Sequence, residues 1–242
     1  ERLYVFDGIY DRFVDEVVQR VRALRQGPPS QDPGGQFDLR PMTMPRQLDI
    51  IERQIADAVG KGARVLVGGR RALGLQGQFF EPTVVVDCNH TMDLVQKETF
   101  GPVMTIIRVR DEEEAIRLAH DSSYGLGSSV FTKSRRRAER FAKGISAGMT
   151  VVNDYGIAYM VQAAPFGGTR ISGFGRINGR EGLRGCCHIK TVVTDKLPIH
   201  LPMSLYPIRA ATFPMLEGAV RLFYGNGLSE RAKGVVQVAR SL

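Results

Sequence analysis

Hydrophobic and polar positions recur with two different periods along the chain, and the period indicates the element. Residues 9–25 place Ile9, Phe13, Val17, Val18, Val21 and Leu24 on one face at helical spacing, which predicts an amphipathic helix ending at Gly27-Pro28-Pro29. QGPPSQDPGGQ (26–36) reads as a loop. A second helical period covers 45–62, with Pro45 in the first turn and Gly60 and Gly62 at the end. Strand-like runs lie at 63–69 and 77–87, the latter interrupted by Pro82. VMTIIRV (103–109) is almost continuously apolar, the pattern of a strand buried on both faces. An acidic run then opens a helix over 111–127, where negative charge suits the positive end of the helix dipole. A strand at 128–132, a helix over 134–144 and a strand at 148–153 complete the pattern. The order strand, helix, strand, helix, strand from Val103 to Asn153 predicts a parallel sheet with crossover helices, an α/β fold.

The pattern weakens further on. HIKTVVTDK (188–196) alternates weakly and reads as an isolated strand. From Leu197 the chain is punctuated by prolines, and only PMLEGAVRLFYG (214–225) groups Leu216, Ala219, Val220 and Phe223 on a short helix. The chain is thus expected to divide into 1–187, the strand 188–196 and the tail 197–242.

Composition narrows the class. The 242 residues are 43 % hydrophobic and 24 % charged, ordinary for a soluble globular chain, and no apolar run approaches the ~20 residues of a membrane-spanning helix. The sequence opens directly into patterned residues without methionine, so Glu1 is not expected to be the natural start. Three cysteines make no disulfide framework, which points to a reducing, cytoplasmic setting. The net charge of +8 raises nucleic-acid binding as a candidate. Its densest cluster, SRRRAERFAKG (134–144), carries Ala138, Phe141 and Ala142 as an apolar stripe, so the arginines read as the wet face of a surface helix. No nucleic-acid partner is expected.

The glycine-rich stretch PFGGTRISGFGRINGREG (165–182) contains GFGRING, one residue longer than a dinucleotide-binding fingerprint. A phosphate loop needs a buried strand before it and a helix after it. Here a proline and a glycine pair precede, and REGLRGCCHIK makes a poor helix. The glycines read instead as positions where the chain turns tightly and passes close to another backbone or a ligand.

The same stretch carries a resemblance. PFGGTRISGFGR resembles the PFGG-x-K-x-SG-x-GR signature of the aldehyde dehydrogenase superfamily, with Arg170 where lysine is usual. KETFGPV (97–103), YGLGSSVFT (124–132) and AGMTVVND (147–154) are similar to further family segments in order. The opening ERLYVFDGIYDRFVDEV is similar to the segment just after the family's catalytic cysteine. The likeness runs in register from Glu1 to about Lys196; DLRPM (38–42) departs from it, with Arg40 where glycine is usual.

The resemblance implies the C-terminal part of a catalytic domain that oxidises aldehydes to acids with NAD or NADP, in a dimer joined through strands. In such enzymes a thiolate attacks the aldehyde to give a thiohemiacetal, hydride leaves for the nicotinamide, and a carboxylate-activated water hydrolyses the thioester. By the resemblance Glu98 would bond the nicotinamide ribose, the alternative being a solvated loop carboxylate, and Phe100 would press on the nicotinamide. Phe166 would wall the aldehyde pocket or else fill core. Asn153 and Asp154 would open the loop 154–164, whose Tyr159 and Met160 would line the tunnel; its apolar length suggests fatty or aromatic aldehydes. The nucleophilic cysteine, the glutamate base and the dinucleotide domain would lie upstream, leaving this chain inactive alone. Cys186, Cys187 and His188 would be small buried or interfacial residues rather than a nucleophile or metal set. A second reading is a non-catalytic truncated relative that dimerises through HIKTVVTD by adding to a partner's sheet. For the tail, a helix packed on its own or a neighbouring subunit is expected ahead of contact with an anionic membrane surface.

Overall fold

Valine-rich segments with β-branched side chains build the main sheet. Strand β3 (Thr83–Val86) has all four residues buried, and β4 (Val103–Val109) runs parallel beside it. In the computed structural model, which describes residues 2–31, 34–194 and 206–241, these two are the central strands of a four-stranded sheet ordered β1-β4-β3-β2. Strand β1 (Arg2–Phe6) pairs parallel with β4, in register Arg2↔Thr105 to Phe6↔Val109. At the other edge β2 (Arg64–Val67) pairs antiparallel with β3, with an irregularity between Val65 and Val67.

Alternation along each strand divides the core into two layers. Helix α1 (Asp7–Arg22) lays Tyr10, Phe13, Val14, Val17, Val18 and Val21 over the face formed by Val5, Val84, Val86 and Ile106. The opposite face, with Val85 and Ile107, is covered by Ala58 of α2 (Pro45–Gly60) and by Leu94 and Val95 of α3 (Asp93–Gln96). Leu48, Ile51 and Ile55 of α2 form a neighbouring cluster with Phe80.

Helix α4 (Glu112–His120) starts where Asp111 accepts the Glu114 amide at 2.8 Å. It ends at Asp121, well short of the predicted residue 127, because the Ser-Ser-Tyr-Gly run turns the chain. Strand β5 (Gly127–Val130), helix α5 (Arg135–Gly144) and strand β6 (Met149–Val152) come next, with Ser134 capping α5. Glu112 accepts from Arg137 at 2.6 Å and from Arg140 at 2.8 Å, so part of the arginine cluster ties α5 to α4.

Three expectations need correction, and one strand was not foreseen. The strands from Val103 to Asn153 do not share one sheet: β5 and β6 pair parallel in a sheet of their own, and β4 lies in the other. Strand β4 is not buried throughout. Arg108 emerges over the Tyr10 ring, 4.0 Å from its centroid, and reaches Asp7 at 2.6 Å, so a cation inside an apolar run pins the first turn of α1. The opening residues form β1, whose short alternation before a strong helical period is easily absorbed into the helix. REGLRGCCHIK does contain a helix, α7 (Gly179–Gly185), after a four-residue turn, α6 (Ile157–Met160), in the preceding loop.

The described part of the predicted strand 188–196, residues 188–194, carries no strand. Ile189, Val192 and Val193 are exposed there. The remainder of that predicted strand lies outside the described residues.

The chain divides into two compact units, residues 1–188 and 189–242. Within the second, α8 (Thr212–Tyr224) matches the predicted tail helix. A further helix, α9 (Leu228–Ser241), escapes the periodicity because Gly234 and Gln237 break its apolar spacing.

Ile51 is fully buried and its Cδ1 fills the space beside Gly101 where a Cβ would be only 2.3 Å away. Ile51→Ala is expected to cost about 2–5 kcal/mol, against under about 0.5 kcal/mol for the exposed Val59→Ala, measured by urea unfolding. Equal costs would show that α2 does not support this connection.

Candidate active site

Two segments carry the candidate site residues, and close backbone packing holds each. The first is the connection between α3 and β4. Thr99 is buried there and donates to Gln54 Oε1 on α2 at 2.7 Å, while the Gln54 side-chain amide reaches the Glu98 carbonyl at 3.4 Å. Burial alternates through the segment, so Glu98 and Phe100 both project to solvent on either side of the anchored threonine, and Phe100 is 65 % exposed. Gly101 comes next, with no room for a side chain against Ile51.

The second segment is the glycine-rich loop with the strand ends it packs on. A Cβ on Gly148, just before β6, would lie 1.7 Å from the Gly167 carbonyl oxygen, and one on Gly167 would lie 2.2 Å from the Gly175 oxygen. A Cβ on Gly125 would lie 2.4 Å from the Thr169 Oγ1 and 3.0 Å from the Ser146 carbonyl oxygen, and the Gly125 carbonyl accepts both the Thr169 and Gly148 amides. Two arginines donate to backbone carbonyls in and beside the loop. Arg176 donates to Gly168 at 2.7 Å and Gly175 at 2.9 Å, and Arg170, held at φ 57°, donates to the carbonyls of His120 and Ser122. Gly148 and Gly167 therefore serve backbone-on-backbone contact, and Gly173, at φ 88°, serves a turn.

This packing places the aromatic pair. Phe166 exchanges backbone hydrogen bonds with Ile177 at 2.8 Å in both directions, fixing the start of the loop. Its ring meets Tyr159 edge to face, with centroids 5.3 Å apart and planes at 83°. Asn178 reaches the Tyr159 carbonyl at 3.3 Å. Asn153, in the left-handed region at φ 57°, accepts the Thr132 amide at 2.7 Å and donates to its carbonyl at 2.9 Å, which joins the ends of β6 and β5. The structure thus brings Phe166 and Tyr159 together, and sets Glu98 and Phe100 together on a different segment.

Gln54, Arg170 and Arg176 as positioning groups were not read from the sequence. Gln54 left a signal, a polar residue on the apolar side of α2 between Ile51 and Ile55. The two arginines left none beyond their place among glycines.

A model of the aldehyde dehydrogenase family matches residues 1–192. The chain belongs to the aldehyde dehydrogenase family. It is 34 % identical over 238 residues to an aldehyde dehydrogenase-like protein of Schizosaccharomyces pombe, covering 95 % of this chain and 45 % of that protein. A succinate-semialdehyde dehydrogenase (NADP+) of Mycobacterium tuberculosis is 38 % identical over 192 residues, covering 79 % of this chain and 41 % of its own length. Among solved structures, a betaine aldehyde dehydrogenase of Staphylococcus aureus in complex with NAD+ superposes with a TM-score of 0.71 at 36 % identity, over 76 % of this chain and 36 % of that one. This aldehyde dehydrogenase chain therefore spans less than half the length of the relatives it matches.

Its one buried thiol is poorly suited to nucleophilic chemistry. Cys88 is 6 % exposed, its Sγ 3.7 Å from the Val86 carbonyl, and desolvation with the nearby Asp87 charge pushes its thiol up to about 12. Cys186 and Cys187 are exposed just beyond α7, where Cys187 Sγ lies 3.3 Å from the Leu183 carbonyl. The expectation that they are buried is thus not met in the single chain. Iodoacetamide at pH 8 is expected to label Cys186 and Cys187 in the folded chain and to leave Cys88 unmodified, read by peptide mass spectrometry. Labelling of Cys88 at the same rate would show that its burial fails in solution.

Proposed function

We propose that this chain is the substrate-side portion of an NAD(P)-dependent aldehyde dehydrogenase, oxidising an aldehyde to its acid, with its nucleophilic cysteine and glutamate base supplied from outside these residues. The observation that carries the reading is the pairing of Glu98 and Phe100 on either side of a threonine anchored to α2. A carboxylate beside an aromatic face suits a ribose diol next to a flat nicotinamide ring, so the residues fit the cofactor. The dinucleotide, when bound, supplies the hydride acceptor. Glu98 accepts hydrogen bonds from the ribose hydroxyls, Phe100 packs against the ring, and Gln54 and Thr99 keep both from turning away. Phe166 and Tyr159 form the apolar wall that orients the aldehyde and excludes water. The apolar character of Tyr159 and Met160 favours fatty or aromatic aldehydes over short polar ones. The assembly is a homo-oligomer, supported by the unpaired, apolar Ile189, Val192 and Val193.

In the whole enzyme, Glu98→Gln is expected to lower kcat/KM for the dinucleotide about ten- to hundredfold, the worth of one hydrogen bond to a charged group. Tyr159→Ala is expected to raise the aldehyde KM while leaving the dinucleotide KM unchanged. The 242-residue chain by itself is expected to form no NAD(P)H from aldehyde. A wild-type response to dinucleotide in Glu98→Gln would overturn the cofactor assignment, and turnover by the isolated chain would overturn the division of the catalytic groups.

A further inference from the structure

The hairpin formed by α8 and α9 is built the opposite way from a helix pair that lives in water. Its helices cross through glycines: a Cβ on Gly218 would lie 3.0 Å from the Gly234 carbonyl oxygen, and one on Gly234 would lie 2.6 Å from the Gly218 oxygen and 2.5 Å from the Leu222 amide nitrogen. These two glycines are the only buried residues among the described residues of the hairpin. Most of the large side chains point outward instead, with Met215, Leu222 and Val238 half-buried. Phe213, Leu216, Val220, Phe223 and Tyr224 lie along one stripe of α8 at helical spacing, with Phe213 74 %, Phe223 70 % and Tyr224 82 % exposed. Leu228, Val235 and Val236 are exposed on α9.

In water, paired helices bury their large residues. Small residues at the crossing with large ones outside is the arrangement favoured where the surroundings are themselves apolar. Neither helix can cross a bilayer: 13 and 14 residues span about 20 Å, against roughly 30 Å of hydrocarbon. A Glu217–Arg221 ion pair at 2.9 Å also sits midway along α8. Such a hairpin lies in the interface plane, and its charge fits one kind of interface. Arg209, Arg221, Arg231, Lys233 and Arg240 outnumber Glu217 and Glu230. The hairpin also lies beyond the family match, which ends at 192, while a match covering 95 % of the chain continues into it.

We propose that the α8–α9 hairpin is an interfacial anchor that lays its Phe213–Tyr224 face onto an anionic membrane surface. This inference is independent of the cofactor and substrate reading. The chain contains no tryptophan, so Phe223→Trp in the full chain places a single reporter on the stripe, and Leu73→Trp places a control on an exposed loop of the first unit. With phosphatidylcholine vesicles containing phosphatidylserine, the emission at 223 is expected to shift to the blue and to be quenched by lipids brominated in the acyl chains, while the reporter at 73 is unaffected. Pure phosphatidylcholine or high salt weakens the response. Phe213→Glu with Phe223→Glu is expected to lower the vesicle-bound fraction at least about tenfold in flotation without loss of helix by circular dichroism. Absence of the shift, or vesicle binding that survives deletion of 197–242, overturns the proposal. So does a wild-type chain that ignores vesicles but self-associates through the stripe, which would assign the face to a second copy.

Discussion

The Gly167 carbonyl occupies the position that a Cβ of residue 148 would need, and the site geometry in the glycine-rich loop depends on that contact. It seats the loop against the entry to β6, so that the Phe166–Ile177 bridge and the Phe166–Tyr159 edge contact form where the strand begins. Packing of one backbone directly on another buries carbonyls, which must find donors. Arg176 donates to the loop carbonyls of Gly168 and Gly175, and Arg170 to those of His120 and Ser122 beside the end of α4. A phosphate-binding loop directs its amides outward, whereas here the loop turns inward on itself.

The connection carrying Glu98 and Phe100 uses a different device for the same end. Its backbone is held by a buried threonine–glutamine hydrogen bond and by the fit of Gly101 against Ile51. The two exposed candidate side chains are thereby oriented from beneath. The stabilising groups lie in α2, a helix whose other apolar residues cover the sheet, so core packing and site geometry share one element.

Much of the architecture was legible because burial writes itself into periodicity. Strand β4 and helix α5 fall within a residue of their predicted bounds, and α1, α2 and α8 within three. Failures occurred where the pattern is local or interrupted. Strand β1 is five residues joined without a break to a helix, and α9 packs through a glycine that periodicity counts as a gap. The motifs that carried the family resemblance named Glu98, Phe100, Phe166 and Tyr159, but their partners Gln54, Arg170 and Arg176 are joined to them by no local pattern. Gln54 comes from a helix distant in sequence, and the arginines act on backbone carbonyls that only the folded chain presents.

The sequence by itself determined the α/β class and the family, because each rests on residue type and spacing within a short window. Tertiary structure alone decided that β5 and β6 leave the main sheet, that Arg108 turns an apolar strand into the anchor of α1, and that the tail helices cross through Gly218 and Gly234 with most of their large side chains outward. An amphipathic stripe shows that a helix has an apolar face. Which face a neighbour covers depends on how closely two backbones approach, and that distance exists only once the chain has folded.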